Sequence, residues 1–138
     1  MKRTPRKNTM FVAALILAGL VGLSGAVYAG FKTEENVSVS ISGTTASAAG
    51  AVGTARNSAD AVQFIRCTVQ GFSTTNSVFC AARTIAGVNF SCSANNSHTL
   101  ATSVSAIDSG SRLFIFAQSG VCTQIDVTNS SEHKPKVP

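Results

Sequence analysis

The sequence is poor in the residues that most often carry chemistry. Its 138 residues include no Trp, one Tyr (Tyr28) and two His, His98 and His133. Acid–base catalysis built on histidine has only these two side chains to draw on. A Ser-His-Asp triad would need His98, one of the many serines, and Asp60, Asp108 or Asp126. Serine is so abundant that composition cannot single out such a set, since a triad is recognised by geometry. No G-x-S-x-G elbow occurs. His98 falls at the start of an expected helix and reads as a surface residue. His133 falls in a C-terminal tail that packing is not expected to hold.

Acids are equally scarce. Glu34, Glu35 and Glu132 lie near the ends of the exported part, leaving Asp60, Asp108 and Asp126 within it. Each Asp has a structural role at hand. Asp60 can bond backbone amides in the turn after Arg56. Asp108 sits at a helix end, and Asp126 on the exposed face of the last strand. A glycosidase needs two carboxylates at a set separation, and nothing here singles out such a pair. The Gly-rich segment 43–53 lacks the lysine and helix start of a phosphate loop. No Asp-rich calcium loop is present. Asn36, Asn89, Asn95 and Asn129 begin N-x-S/T triplets, which arise easily in a chain rich in Asn, Ser and Thr. The expectation is no catalytic residue, no cofactor and no metal.

What the chain does have begins at its N-terminus. Lys2, Arg3, Arg6 and Lys7 precede an uncharged apolar stretch from Met10 to Leu23, and Val27 and Ala29 suit a signal peptidase cleft. Basic, apolar and cleavable segments in that order form a secretory signal, here residues 1–29. The basic end stays on the cytoplasmic side while the apolar stretch enters the bilayer. The alternative is an uncleaved anchor, because Met10 to Phe31 is long enough to span. With the signal gone, the formal charge falls from +5 to +1, seven basic residues against six acidic. Lys32, Arg56, Arg66, Arg83, Arg112, Lys134 and Lys136 are scattered. Nucleic-acid binding, which needs a retained basic stripe, is therefore not expected. Membrane contact is expected only during export.

All four cysteines, Cys67, Cys80, Cys92 and Cys122, lie in the exported part. An even count in a small exported chain implies two disulfides. Zinc sites usually show close C-x₂-C pairs, and the gaps here are longer. A thiol nucleophile would have to stay reduced in an oxidising space.

Hydrophobic alternation outlines the domain. Val37, Val39 and Ile41 alternate with serine over 36–42, as in a half-buried strand. Residues 43–55 are nearly all small, a flat strand or a linker. Gly50 and Gly53 argue against a helix there, so a strand ending near Ala55 is expected. Val62 to Val69 forms the next strand, with Gln63, Ile65, Cys67 and Val69 on one face. Val78 to Arg83 and Val88 to Ser93 flank Ile85-Ala86-Gly87 as a hairpin. Leu100, Val104 and Ile107, with Ser97 or Asn96 as cap, mark a short helix over 97–108. Leu113 to Gln118 and Val121 to Val127 close the domain as a second hairpin. The fold class is mainly β: a small antiparallel β domain with one short helix, disulfide-stapled. Residues 30–55 hold the first strand and the small-residue segment, 56–131 the four-cysteine domain, and 132–138 a flexible tail.

Four cysteines can pair in three ways. A three-residue loop at 85–87 places Cys80 opposite Cys92, which favours Cys80–Cys92 with Cys67–Cys122. Only the closer, non-hydrogen-bonded kind of cross-strand site suits a disulfide.

The stretch TARNSADAVQFIRC (54–67), then FCAAR (79–83), SCS (91–93) and GVCTQIDVTNSS (120–131), resembles a family of small exported bacterial proteins. The shared features are ARNSAD before a strand ending in Cys, three further cysteines, and an NSS-like end with a Lys-Pro tail. Arg66 departs from the pattern, standing where a small residue, usually glycine, precedes the first cysteine. The resemblance implies export and a four-cysteine domain. It brings no activity and no site residue.

The function expected is thus that of a non-enzymatic exported protein. It would be a binding or structural module of the periplasm or cell exterior, taking a protein or glycan partner. The alternative is a small secreted hydrolase using His98 with an Asp.

Overall fold

A computed structural model describes residues 33–133. The expected signal segment and residues 134–138 lie outside the described residues. Among the described residues seven strands and two short helices follow in order: β1 (Ser38–Ser42), β2 (Thr45–Ala51), α1 (Val52–Asn57), β3 (Phe64–Gly71), β4 (Asn76–Arg83), β5 (Asn89–Asn95), α2 (His98–Ser105), β6 (Ser111–Gln118) and β7 (Val121–Asn129). The strands form one sheet in the order β1-β2-β6-β7-β5-β4-β3. Neighbours run antiparallel except β5 and β7, which are parallel. The expected mainly-β class is what the chain adopts.

Tight turns make the antiparallel pairs. Thr45 opposes Ser42 across Gly43-Thr44, with Gly43 at φ 58°. Val121 opposes Gln118 across Ser119-Gly120, at φ 51° and 77°. Two consecutive positive φ values match the right-handed twist of the strands they join, and glycine supplies the second without steric cost.

The sheet curls on itself. Across the core β1 approaches β4, β2 approaches β3 and β5, and α2 packs on β3, β4 and β7. Inside lie Ile65, Val78, Ala82, Phe90, Ala94, Leu113, Ile115 and Ile125, with Ala101 and Val104 from α2. β6 alternates buried and half-buried side chains along its length. β7 cannot keep that rhythm, because its two inward residues, Cys122 and Ile125, are an odd number of positions apart. A bulge opposite Phe116/Ala117 absorbs the extra residue and turns both inward.

Three local expectations need correction. The segment after β2 is helical, and the strand ends at Ala51 rather than near Ala55. Gly53 disfavours a helix by about 1 kcal/mol, but so short a helix rests on packing, not propensity. Gly53 and Ala55 are buried, and α1 touches β2, β3 and β6. The second helix is shorter than 97–108: it ends at Ser105, ahead of the Asp108–Ser111 turn. His133 is 7% exposed. It donates its backbone N–H to Ser130 O at 3.3 Å, while Glu132 O accepts from Thr33 N–H at 3.0 Å. The first residues of the expected tail are therefore packed.

The disulfides are Cys67–Cys80 and Cys92–Cys122. The expected Cys80–Cys92 and Cys67–Cys122 bonds do not form, although the register behind them is correct. Cys80 does oppose Cys92, and Ala82 opposes Phe90. The reason is the kind of site. Thr84 N–H donates to Val88 O at 3.0 Å. Hydrogen-bonded and non-hydrogen-bonded pairs alternate. An even number of steps outward makes Cys80↔Cys92 a hydrogen-bonded, wide site. In the β3–β4 hairpin, Phe72 N–H donates to Thr75 O at 2.8 Å. An odd number of steps outward makes Cys67↔Cys80 a non-hydrogen-bonded, close site. Its Cα atoms are 4.1 Å apart.

Candidate functional site

The ARNSAD segment (55–60) builds a clasp. Asn57 Nδ2 donates to Gly53 O at 2.7 Å and Ser58 Oγ to Ala55 O at 3.2 Å, so both close the end of α1. Asp60 Oδ1 accepts the backbone N–H groups of Val62 (2.9 Å) and Gln63 (2.7 Å), and Oδ2 accepts Gln63 Nε2 at 2.7 Å. The Gln63 amide N–H, helped by that of Val62, holds the Asp60 carboxyl down at about 2, against an ordinary 3.8 and against the opposing effect of burial. Gln63 is itself 7% exposed. Its Oε1 accepts Val37 N–H at 3.0 Å, and its Nε2 also reaches Asn36 Oδ1 at 3.2 Å. A motif that looked like a signature is a structural knot tying the start of β1 to β3.

The other two aspartates also have hydrogen-bond partners. Asp108 Oδ1 accepts Gly110 N–H at 2.7 Å, and Asp108 N–H donates to the fully buried Ser111 Oγ at 2.7 Å. Ser111 Oγ in turn donates to Asn129 Oδ1, whose Nδ2 reaches Ala106 O at 3.0 Å. Asp126 accepts Gln124 Nε2 at 2.7 Å on the outer face of β7, as expected.

His98 is exposed at the first turn of α2 and lines a cleft of about 490 Å³. The rest of the lining is the β3–β4 turn, Gly71 to Asn76, together with Asn96. None of Asp60, Asp108 and Asp126 belongs to it. The structure thus does not assemble the residues of the hydrolase alternative in this cleft. Asn76 Oδ1, in the same lining, is buried and has no hydrogen-bond partner among the described residues.

An exposed strand edge that binds by strand addition is one form the expected binding module can take, and the sheet order places such an edge at β1. Among the described residues β1 pairs only with β2. Ser38, Ser40 and Ser42 form the hydrogen-bonded pairs with β2, counting from the Ser42↔Thr45 turn. Val39 and Ile41 therefore turn their N–H and C=O groups outward. The first outward amide, Val37 N–H, is capped by Gln63. Val39 and Ile41 have no such cap among the described residues, and Ile41 is 61% exposed.

No known family, curated protein or solved structure matches this chain. Two disulfides mark a protein that matures in an oxidising compartment. Among the described residues no helix is long and apolar enough to cross a membrane.

Proposed function

We propose that this protein is a non-enzymatic module, exported by a bacterium through a cleaved signal at 1–29, that binds an extended polypeptide by strand addition at β1. The observation that carries this reading is the unguarded edge. Natural edge strands are blunted by charge, proline, bulges or a covering element. β1, with the sequence SVSIS, has neither charge nor proline and pairs in unbroken register with β2. The outward groups of Val39 and Ile41 supply main-chain hydrogen bonds, and the exposed Ile41 side chain a point of apolar contact, which is how strand addition gains affinity and selectivity.

The test is Ile41→Pro, which removes an outward N–H that the β1–β2 ladder does not use. Mature wild-type protein and the variant are used to capture partners from the envelope and the medium. A protein retained by wild type and lost by the variant, with the disulfides and circular dichroism unchanged, supports the reading. Equal retention by both overturns the edge as the binding element. N-terminal sequencing of the exported form tests the address, with Gly30 expected first and retention of Met1 overturning cleavage.

A further inference from the structure

We infer that the four cysteines form an intramolecular thiol–disulfide exchange track with Cys80 as its pivot. Cys67, Cys80 and Cys92 stand side by side on adjacent strands, Cys80 opposing Cys67 on β3 and Cys92 on β5. The Sγ atoms of Cys80, Cys92 and Cys122 all lie within 4.8 Å of one another. Cys80 is bonded to Cys67. Each sulfur is thus bonded to, or a short side-chain rotation from, the next. Exposure differs along the row: Cys67 is half-buried, while Cys80, Cys92 and Cys122 are buried in the core.

Exchange proceeds by thiolate attack on a disulfide sulfur, with the other sulfur leaving as thiolate. An external dithiol reaches the track at Cys67. Its thiolate bonds Cys67 Sγ, and the Cys67–Cys80 bond breaks, releasing Cys80 thiolate. The second thiol of the reductant resolves the mixed disulfide, leaving Cys67 as a thiol and the reductant as a disulfide. Two electrons have entered the protein. Cys80 thiolate, enclosed in the core, then attacks Cys92 or Cys122 Sγ. Attack on Cys122 Sγ forms a Cys80–Cys122 bond, breaks Cys92–Cys122 and releases Cys92 as thiolate. Attack on Cys92 Sγ instead makes Cys80–Cys92 at the wide cross-strand site, releases Cys122 as thiolate, and is the minor branch. This second step is redox-neutral and moves the remaining disulfide among three sulfurs. While both bonds are intact these sulfurs are disulfide sulfurs and offer no thiolate to a metal, so exchange begins with the external dithiol.

Cys67→Ser isolates the second step without any reductant, because it leaves Cys80 beside an intact bond. The variant is held at alkaline pH, which favours the attacking thiolate. It is then quenched in acid, unfolded, alkylated and digested without reduction. Cleavage at Arg66, Arg83 and Arg112 puts Cys80, Cys92 and Cys122 on three different tryptic peptides. The expected result is alkylation of all three cysteines and Cys80-linked peptides beside the Cys92–Cys122 pair. Label confined to Cys80, with Cys92–Cys122 as the sole bond, overturns the track. Should the variant not fold, wild-type protein treated with a limiting dithiol is mapped in the same way, with a protease that separates Cys67 from Cys80. There the track predicts label on Cys67 and spread over the other three, whereas label on Cys67 and Cys80 alone overturns it.

Discussion

The two sides of the curled sheet are held by different means. On one side, β3, β4, β5 and β7 are joined by two disulfides, and Val78, Phe90 and Ile125 fill the space beside them. On the other, β1 and β2 carry mostly Ser, Ala, Thr and Gly and no cysteine. They are retained by close approach and by polar clasps at their margin. Gly50 shows the close approach: a Cβ there would lie 3.1 Å from Val37 Cα. The Asp60–Gln63–Val37 chain and the Arg112–Glu35 ion pair (2.6 Å) are the clasps. A covalent staple constrains the unfolded chain, whereas a clasp acts only while its own groups are in place. Of the sheet's two edges, β3 lies on the stapled side and β1 on the side with the weaker ties, where local opening requires the least free energy.

Removing the longer staple should have the largest effect. Cys92–Cys122 spans 30 positions and Cys67–Cys80 spans 13. In the chain-entropy model, replacing the first pair by serine costs about 3–4 kcal/mol and the second about 3 kcal/mol. Urea unfolding of the two double variants measures both. A loss under about 1 kcal/mol for either would mean the stapled side does not depend on its staples.

Next comes Gln63→Ala, which strands the Val37 amide and frees the Asp60 carboxylate oxygen. An unpaired buried group costs about 1–3 kcal/mol. Amide exchange should quicken across β1 and leave β4 protected. Uniform acceleration would show that the two sides open as one unit.

The same clasp gives a pH dependence. The folded carboxyl of Asp60 titrates near 2, below its ordinary 3.8. The unfolded chain therefore binds the proton first, so the contribution is complete above about pH 4 and is lost as pH falls toward 2. Thermal melts between pH 5 and 2 should show wild type losing more stability than Asp60→Asn. Parallel curves would remove Asp60 from the account.

Glu35→Gln should change least. Its partner Arg112 is 37% exposed, and exposed ion pairs contribute about 0–1 kcal/mol. A larger loss would make the margin of β2 electrostatic rather than packed.

The alternating serines of 36–42, the Ile85–Gly87 turn and the Leu100/Val104 spacing were legible because each depends on neighbours along the chain. The register that sets Cys80 opposite Cys92 was legible for the same reason. The site kind was also within reach: parity counted from Thr84–Val88 already marks Cys80↔Cys92 as a wide pair. What no local pattern held was that β3 turns back at Phe72–Thr75 in the register that brings Cys67 close to Cys80. Likewise Gly53 could look like a helix breaker only while its burial was unknown. In the candidate site, the amide-binding role of Asp60 was readable, but the reach of Gln63 to Val37, 26 positions away, was not.

By itself the sequence determined the strands, the turns, the mainly-β class and the even count of cysteines, since these follow from side-chain period and short-range backbone preference. Tertiary structure alone decided which sulfurs bond, that β7 bulges to turn both Cys122 and Ile125 inward, that His133 is buried, and that β1 is left at an edge. Each of these depends on which distant strands lie side by side, and the order β1-β2-β6-β7-β5-β4-β3 is set by burying one shared core, a property of no segment taken alone.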